Sequence, residues 1–172
     1  MMSDYLTDSH DLTRLASSCV TCSNNIAHGV NIRHYKDLQN FNVSISSNKR
    51  VAIILNTKQD FETAGHWAIL LKSKRTLYLS DGLGYTVSRP DVMLSIRRFC
   101  RMHGFRLVVL SLRYQRTRTS KCGYLCLGVL AKYHTLSFKR FLAMHIALKR
   151  NSIFSNETYL LNFAKKHFNF SI

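Results

Sequence analysis

Short β-branched and apolar runs mark the middle of this chain, and longer helical patterns mark its end. Arg50-Val51-Ala52-Ile53-Ile54-Leu55-Asn56 is apolar without alternation, which predicts a strand buried on both faces. His66 to Leu71 predicts a second strand and Thr76 to Ser80 a third, with a hairpin turn over Lys72–Arg75. Asp81-Gly82 closes that third strand. Pro90-Asp91 opens a helix that runs to His103, and Gly104 stops it. A fourth strand is predicted over Arg106 to Leu112. From Cys122 to Tyr133 the apolar positions surround the helix almost completely, so this helix should be largely buried. Two more helices follow near 137–149 and 157–167, and a short one precedes the strands between Asp4 and Ser18. Residues 23–48 read as polar and irregular, with Ile32, Tyr35, Leu38 and Phe41 packing on the domain or lining a groove. The order predicts an α+β fold, a small central mixed β-sheet flanked by helices.

The 172 residues suit one domain, 1–172, with a substantial core. No repeat, low-complexity stretch or linker divides them. No apolar run approaches the ~20 residues that span a bilayer. The first residues, Met-Met-Ser-Asp-Tyr, lack the basic and apolar regions of a signal peptide, which favours cytosol or nucleus. The five cysteines are an odd number, so free thiols are expected rather than a disulfide framework.

Charge changes the picture. The net charge is +16, and it is uneven. Residues 1–91 hold ten Lys/Arg against eight Asp/Glu, whereas residues 92–172 hold fifteen against one, Glu157. A half this basic attracts polyanions by steering and counterion release, so a nucleic acid is an expected partner. No zinc finger, RNA-recognition signature or basic zipper points to sequence-specific readout.

Four residues could carry chemistry. Cys122 follows a basic loop and begins the buried helix. A helix N-terminus carries partial positive charge and free N–H groups, and both favour a thiolate nucleophile. Gly123 lets the backbone come close, and Cys126, one turn on, reads as a structural thiol. His66 stands at a strand start beside Gly65, where an imidazole can reach a cleft. Histidines 10, 28, 34, 103, 134, 145 and 167 read as solvated. Asp81 ends the neighbouring strand and could accept from the imidazole, fixing its tautomer. A turn aspartate would look the same. Gln115, seven residues before Cys122, could donate beside the Cys122 N–H to an oxyanion.

In that order, Gly65-His66-Trp67, Tyr78-Leu79-Ser80-Asp81-Gly82-Leu83-Gly84, and Gln115 followed by Cys122-Gly123 resemble the motifs of adenovirus-type (adenain-like) cysteine proteases. Val51 to Thr57 is similar to that family's strand before the histidine. The ubiquitin-like-protein-specific proteases of the same clan are a more distant likeness. The resemblance covers residues 50–131. It implies a papain-related fold permuted in chain order. It further implies Cys122 as nucleophile, His66 as base, Asp81 as orienting acid, Gln115 as oxyanion donor and Trp67 packing near the histidine. It implies viral precursor proteins as substrates, cut during virion maturation, with no cofactor required for the chemistry. DNA and a viral peptide are the implied activators, and virion and host nucleus the implied locations, for a monomer without membrane association. Two features depart from the family. Asp81 stands where adenovirus enzymes usually have Glu. Gly104 occupies the position of the cysteine that links the peptide, and the nearest thiol is Cys100, which makes a disulfide-linked peptide doubtful.

Three other readings remain open. One is a protease acting on host ubiquitin-like conjugates. Another is a basic nucleic-acid-binding core protein of a virion without enzymatic activity. The third is a metal or redox site at Cys19-x-x-Cys22 with His28 and His34, weakened because no second Cys/His pair and no βαβ context accompany it. No metal is expected.

Overall fold

A computed structural model describes residues 9–17, 31–43, 50–59, 65–117, 119–168 and 170. Five strands form one mixed sheet in the order β1-β2-β3-β4-β5. They are β1 (Asn31–His34), β2 (Ala52–Asn56), β3 (Trp67–Ser73), β4 (Thr76–Ser80) and β5 (Arg106–Leu110). β2, β3 and β4 run antiparallel to their neighbours in that trio, and β1 and β5 add parallel at the two edges. The helices are α1 (Ser9–Ser17), α2 (Pro90–His103), α3 (Cys122–Thr135), α4 (Phe138–Leu148) and α5 (Ile153–Phe168). Short 3-10 turns cover Tyr35–Asn40 and Thr86–Ser88. This is the α+β arrangement expected, with helices on both faces of the sheet.

Strand alternation divides the core in two. Ala52, Ile54, Trp67, Ile69 and Leu71 face one side, where they pack with α1, α3, α4 and α5. Ile53, Leu55, Ala68, Leu70, Leu77 and Leu79 face the other, against α2 and the Tyr35–Asn40 turn. Both faces of the central strands are covered, which is why their sequences lack a polar alternate. β5 sits at an edge and is only partly buried.

α3 fills the first core. Its Gly128 allows contact so close that a Cβ there would lie 2.5 Å from the Leu160 carbonyl oxygen of α5. Arg50 caps the other end of α3 by donating to the carbonyls of Tyr133 and Leu136, where the helix dipole is negative.

Several expectations are corrected. Residues 31–40 are not irregular: Asn31–His34 is a strand and Tyr35–Asn40 a 3-10 turn. Tyr35 and Leu38 are buried in the second core, so they pack rather than line a groove. β5 stops at Leu110, which leaves Gln115 in the irregular segment after it rather than at a strand end. The hairpin needs only Lys74 and Arg75 as its turn, with Lys74 at φ 52° in the left-handed region. His134 and His145 are buried, not solvated, because each falls on the packed face of its helix. Burial lowers the affinity of both rings for a proton, and holds His134 at about 4.

Among the described residues no helix is long and apolar enough to cross a membrane. Cys19, Cys22 and His28 lie outside the described residues. His34 has both ring nitrogens engaged, Nε2 donating to the Lys58 carbonyl and Nδ1 accepting from the Lys36 N–H.

Candidate active site

The site lies where β3 begins, β4 ends and α3 begins. Ile69 pairs with Ser80, so continuing the register sets Ala68 opposite Asp81 and His66 one step beyond on the same face. That diagonal relation brings the imidazole and the carboxylate together. His66 Nε2 donates to Asp81 Oδ1 at 2.6 Å. Cys122 lies beside the same imidazole, close enough to raise its affinity for a proton. Nε2 is taken up by Asp81, which leaves Nδ1 as the nitrogen available to a thiol.

Asp81 is held from the other side too. Its Oδ1 accepts from the Leu83 N–H at 3.0 Å, and its Oδ2 accepts from the Thr86 N–H at 2.7 Å and hydroxyl at 2.6 Å. The 3-10 turn after Gly84 therefore closes back onto the carboxylate. Burial alone would raise the Asp81 pKa, but His66 and Thr86 overcome it and hold the carboxyl at about 2. Burial likewise opposes charge on His66, yet bonds and charge from Asp81 and Cys122 raise the ring to about 9. The imidazolium form is thus favoured at neutral pH.

Cys122 is 9% exposed and is the first residue of α3. The first-turn N–H groups of a helix have no partner within it, so they and the dipole face the sulfur side of the site. Cys126, one turn deeper, is fully enclosed, and burial pushes its thiol well up. Cys100 lies on the buried face of α2, its thiol pushed up to about 11 by burial.

Gln115 is also buried, and its Nε2 donates to the Thr119 carbonyl at 2.8 Å. Only the NH2 end can donate to a carbonyl, so this bond fixes which way the amide points. The Gly82 carbonyl accepts the N–H groups of Tyr114 and Gln115, both at 3.1 Å, tying the acid's turn to the glutamine segment. A Cβ on Gly82 would come within 2.7 Å of the Tyr114 ring, so any other residue here would force the buried ring to shift. Ser80 and Tyr114 hydroxyls pair at 3.0 Å just below. Trp67 packs in the first core with Cys122.

The structure therefore joins His66 to Asp81 by a hydrogen bond, sets Cys122 beside the imidazole, and ties Gln115 to the acid's turn through Gly82. The sequence reading missed Thr86, a donor to Asp81 by two bonds, and Tyr85, whose half-exposed ring lies 6.2 Å from the His66 ring. A hydroxyl residue five positions after a turn aspartate was the only available signal for Thr86. Among the described residues no group of three or more His, Cys, Asp or Glu is disposed to hold a metal ion.

Sheet, helix and site together define an α+β chain with a buried His–Asp pair beside a thiol at a helix N-terminus. No family model matches the chain, and no curated protein matches it. Among solved structures, the crystal structure of selenomethionine-labelled ASFV pS273R protease matches at 17% identity and a TM-score of 0.45, over 72% of this chain and 44% of that one. The chain thus spans less than half the length of that protease.

Proposed function

We propose that this chain is a cysteine endopeptidase. The observation that carries the reading is the His66 imidazole, bound by Asp81 at Nε2 and lying beside Cys122 at the start of α3. In this reading the Cys122 thiolate attacks a peptide carbonyl, forming the carbon–sulfur bond while the carbonyl oxygen takes the negative charge. The Cys122 N–H and the second N–H of the Gln115 amide hold that oxyanion. His66 then gives its proton to the leaving amine, and the carbon–nitrogen bond breaks. Water, with His66 as base, cleaves the thioester and restores the thiol. Asp81 keeps the imidazole in its tautomer and orientation throughout.

The substrates in this reading are viral precursor proteins cut during virion maturation, and DNA is the activating partner. Charge supports the DNA part. Lys74, Arg75, Arg101 and Arg106 are exposed, and the pairings Ser73–Thr76 and Thr76–Arg106 collect Lys74, Arg75 and Arg106 at one end of the sheet. His66 and Asp81 lie at the other end. A polyanion held there would leave the thiol open to a protein substrate.

The test is site-resolved alkylation by iodoacetamide at pH 7, followed by Cys122→Ala. Cys122 should react at least tenfold faster than Cys100 or Cys126 in the native protein, since only a thiolate attacks. Cys122→Ala should keep the fold and lose cleavage of a Gly-containing precursor protein. Labelling of Cys122 no faster than the other thiols would refute the peptidase reading.

A further inference from the structure

Glu157 is the one acid among the fifteen Lys/Arg of residues 92–172, and it is not on the surface. Its side chain is 2% exposed, on α5, and its carboxylate is enclosed by four donors. Oε2 accepts from the Arg116 backbone N–H at 2.8 Å and from the Thr119 hydroxyl at 3.2 Å. Oε1 accepts from Arg116 Nε at 3.1 Å and Nη2 at 2.9 Å. The Arg116 guanidinium also lies 4.9 Å above the Phe154 ring, one turn earlier on α5.

These bonds converge on the connection between Gln115 and Cys122. Arg116 is the next residue after Gln115, and Thr119 is the residue whose carbonyl receives the Gln115 amide. Thr119 in turn bonds back to Arg116 through its N–H at 3.3 Å, and its single hydroxyl proton is shared between the Arg116 carbonyl, at 3.0 Å, and Glu157. A buried carboxylate is costly unless its lone pairs are met by strong donors. Here all the donors belong to one short piece of chain, brought from 38 to 41 residues away.

We propose that Glu157 is a positioning residue for the oxyanion side of the site. It fixes Arg116 and Thr119, and through the Thr119 carbonyl it fixes the direction in which the Gln115 amide presents its remaining N–H. The inference rests on the peptidase reading, with Gln115 as donor. His66, Asp81 and the sulfur are held by the separate bonds of the β3–β4 end, so the thiolate itself does not depend on Glu157. The carboxylate has no contact with a substrate and acts only through Thr119 and Gln115.

The experiment separates thiol reactivity from oxyanion binding. Iodoacetamide reads only the thiolate, because iodide leaves and no oxyanion forms. A Gly-Gly peptide aldehyde reads both, because its carbonyl oxygen becomes the tetrahedral oxygen of a thiohemiacetal with Cys122. Wild type, Glu157→Gln and Thr119→Val are compared by both reagents, with thermal unfolding recorded for each. Glu157→Gln keeps the shape but turns an NH2 towards two of the four donors, whichever oxygen it replaces. Thr119→Val removes one hydroxyl bond and keeps the carbonyl, which guards against a Glu157 variant that fails to fold. The expected result is an alkylation rate within threefold of wild type, with aldehyde binding weakened at least tenfold in Glu157→Gln and less, in the same direction, in Thr119→Val. Aldehyde binding unchanged in both folded variants overturns the inference alone. Equal losses with both reagents also overturn it, by making Glu157 a general brace. A wild-type Cys122 that alkylates rapidly but takes no aldehyde does the same. A wild-type Cys122 slow with both reagents overturns the peptidase reading, and the inference falls with it.

Discussion

Asp81→Asn removes one charge and almost no volume, so it isolates what the carboxylate does for its neighbours. His66 is raised from 6.5 to about 9 although burial opposes it. At 1.36 kcal/mol for each tenfold change, that favours the imidazolium by about 3 kcal/mol. Asp81 and Cys122 share this, and Asp81, which bonds the ring directly at 2.6 Å, supplies the larger part, about 2 kcal/mol. Asparagine also cannot meet all its partners: it must keep an oxygen for the Thr86 N–H and hydroxyl, which turns its NH2 towards His66 Nε2. The ring then loses the tautomer that leaves Nδ1 for the sulfur as well as the charge that favours the ion pair. The expected outcome is a fall in Cys122 alkylation at pH 7 of about 30-fold, the factor that about 2 kcal/mol represents. Stopped-flow iodoacetamide labelling with peptide mapping measures it. Near pH 10, where a thiol ionises unaided, variant and wild type should converge. Cys126 supplies the control, since it stays unlabelled only while α3 remains packed. A variant whose profile overlies wild type at pH 7, with Cys126 protected, would refute the coupling of Asp81 to the thiol.

The remaining predictions concern stability and charge. Gly128→Ala gains up to about 1 kcal/mol of helix propensity but sets a Cβ against the Leu160 carbonyl, so denaturant midpoints should fall by a net 1–2 kcal/mol or so; an unchanged midpoint would contradict the packing of α3 on α5. Stability should peak near pH 6.5 for two opposite reasons. His66, raised to about 9, stabilises fully below 6.5 and loses that contribution as pH rises through 9. His134, held at about 4, binds its proton in the unfolded chain first, so stability falls by about 3 kcal/mol as pH drops from 6.5 through 4. His134→Leu should flatten the acid limb alone, and an acid limb of unaltered slope would exclude His134 as its source. Double-stranded DNA should bind with a log–log salt slope that Lys74, Arg75, Arg101 and Arg106 changed together to Ala reduce by about 3–4; binding insensitive to salt would remove the electrostatic basis.

What could be read from the sequence is what depends on local pattern. The α2 limits, Pro90–His103, follow from proline at the start and Gly104, at φ 69°, as the left-handed stop. β4 likewise is bounded by its own turns. β1 was not legible, because Asn31-Ile32-Arg33-His34 is a four-residue edge strand whose only strand-forming influence is β2 beside it. The buried positions of His134 and His145 were missed for a related reason: a histidine's burial depends on which helix packs over it. In the site, Cys122 had a local argument, and His66 and Asp81 needed the register of a hairpin, which a short turn between two clear strands makes predictable. Thr86 and Glu157 act over distances in sequence or through backbone groups that no local pattern marks.

The scarcity of acids gives this fold a common device. With nine Asp/Glu against 25 Lys/Arg, a carboxylate is always close to cations and its placement is a choice among many competing donors. Among the described residues, Asp81, Asp91 and Glu157 are engaged with segments remote in sequence. Asp91 accepts from the Tyr35 hydroxyl and the Gln59 amide, both at 2.8 Å, at the start of α2. Asp81 joins β3 to the turn at Thr86, and Glu157 joins α5 to the segment before Cys122. In each case the acid takes several neutral or charged donors at once, so its loss leaves several groups unpaired rather than one. Repulsion among the cations acts on the whole chain and weakens with salt. Asp81 and Glu157, both buried, are screened far less. Raising salt should therefore relieve the repulsion while leaving these two junctions intact, and thermal stability should rise between low and moderate ionic strength even as affinity for a polyanion falls. A fall in stability over the same range would mean that exposed ion pairs, not buried carboxylates, hold these segments together.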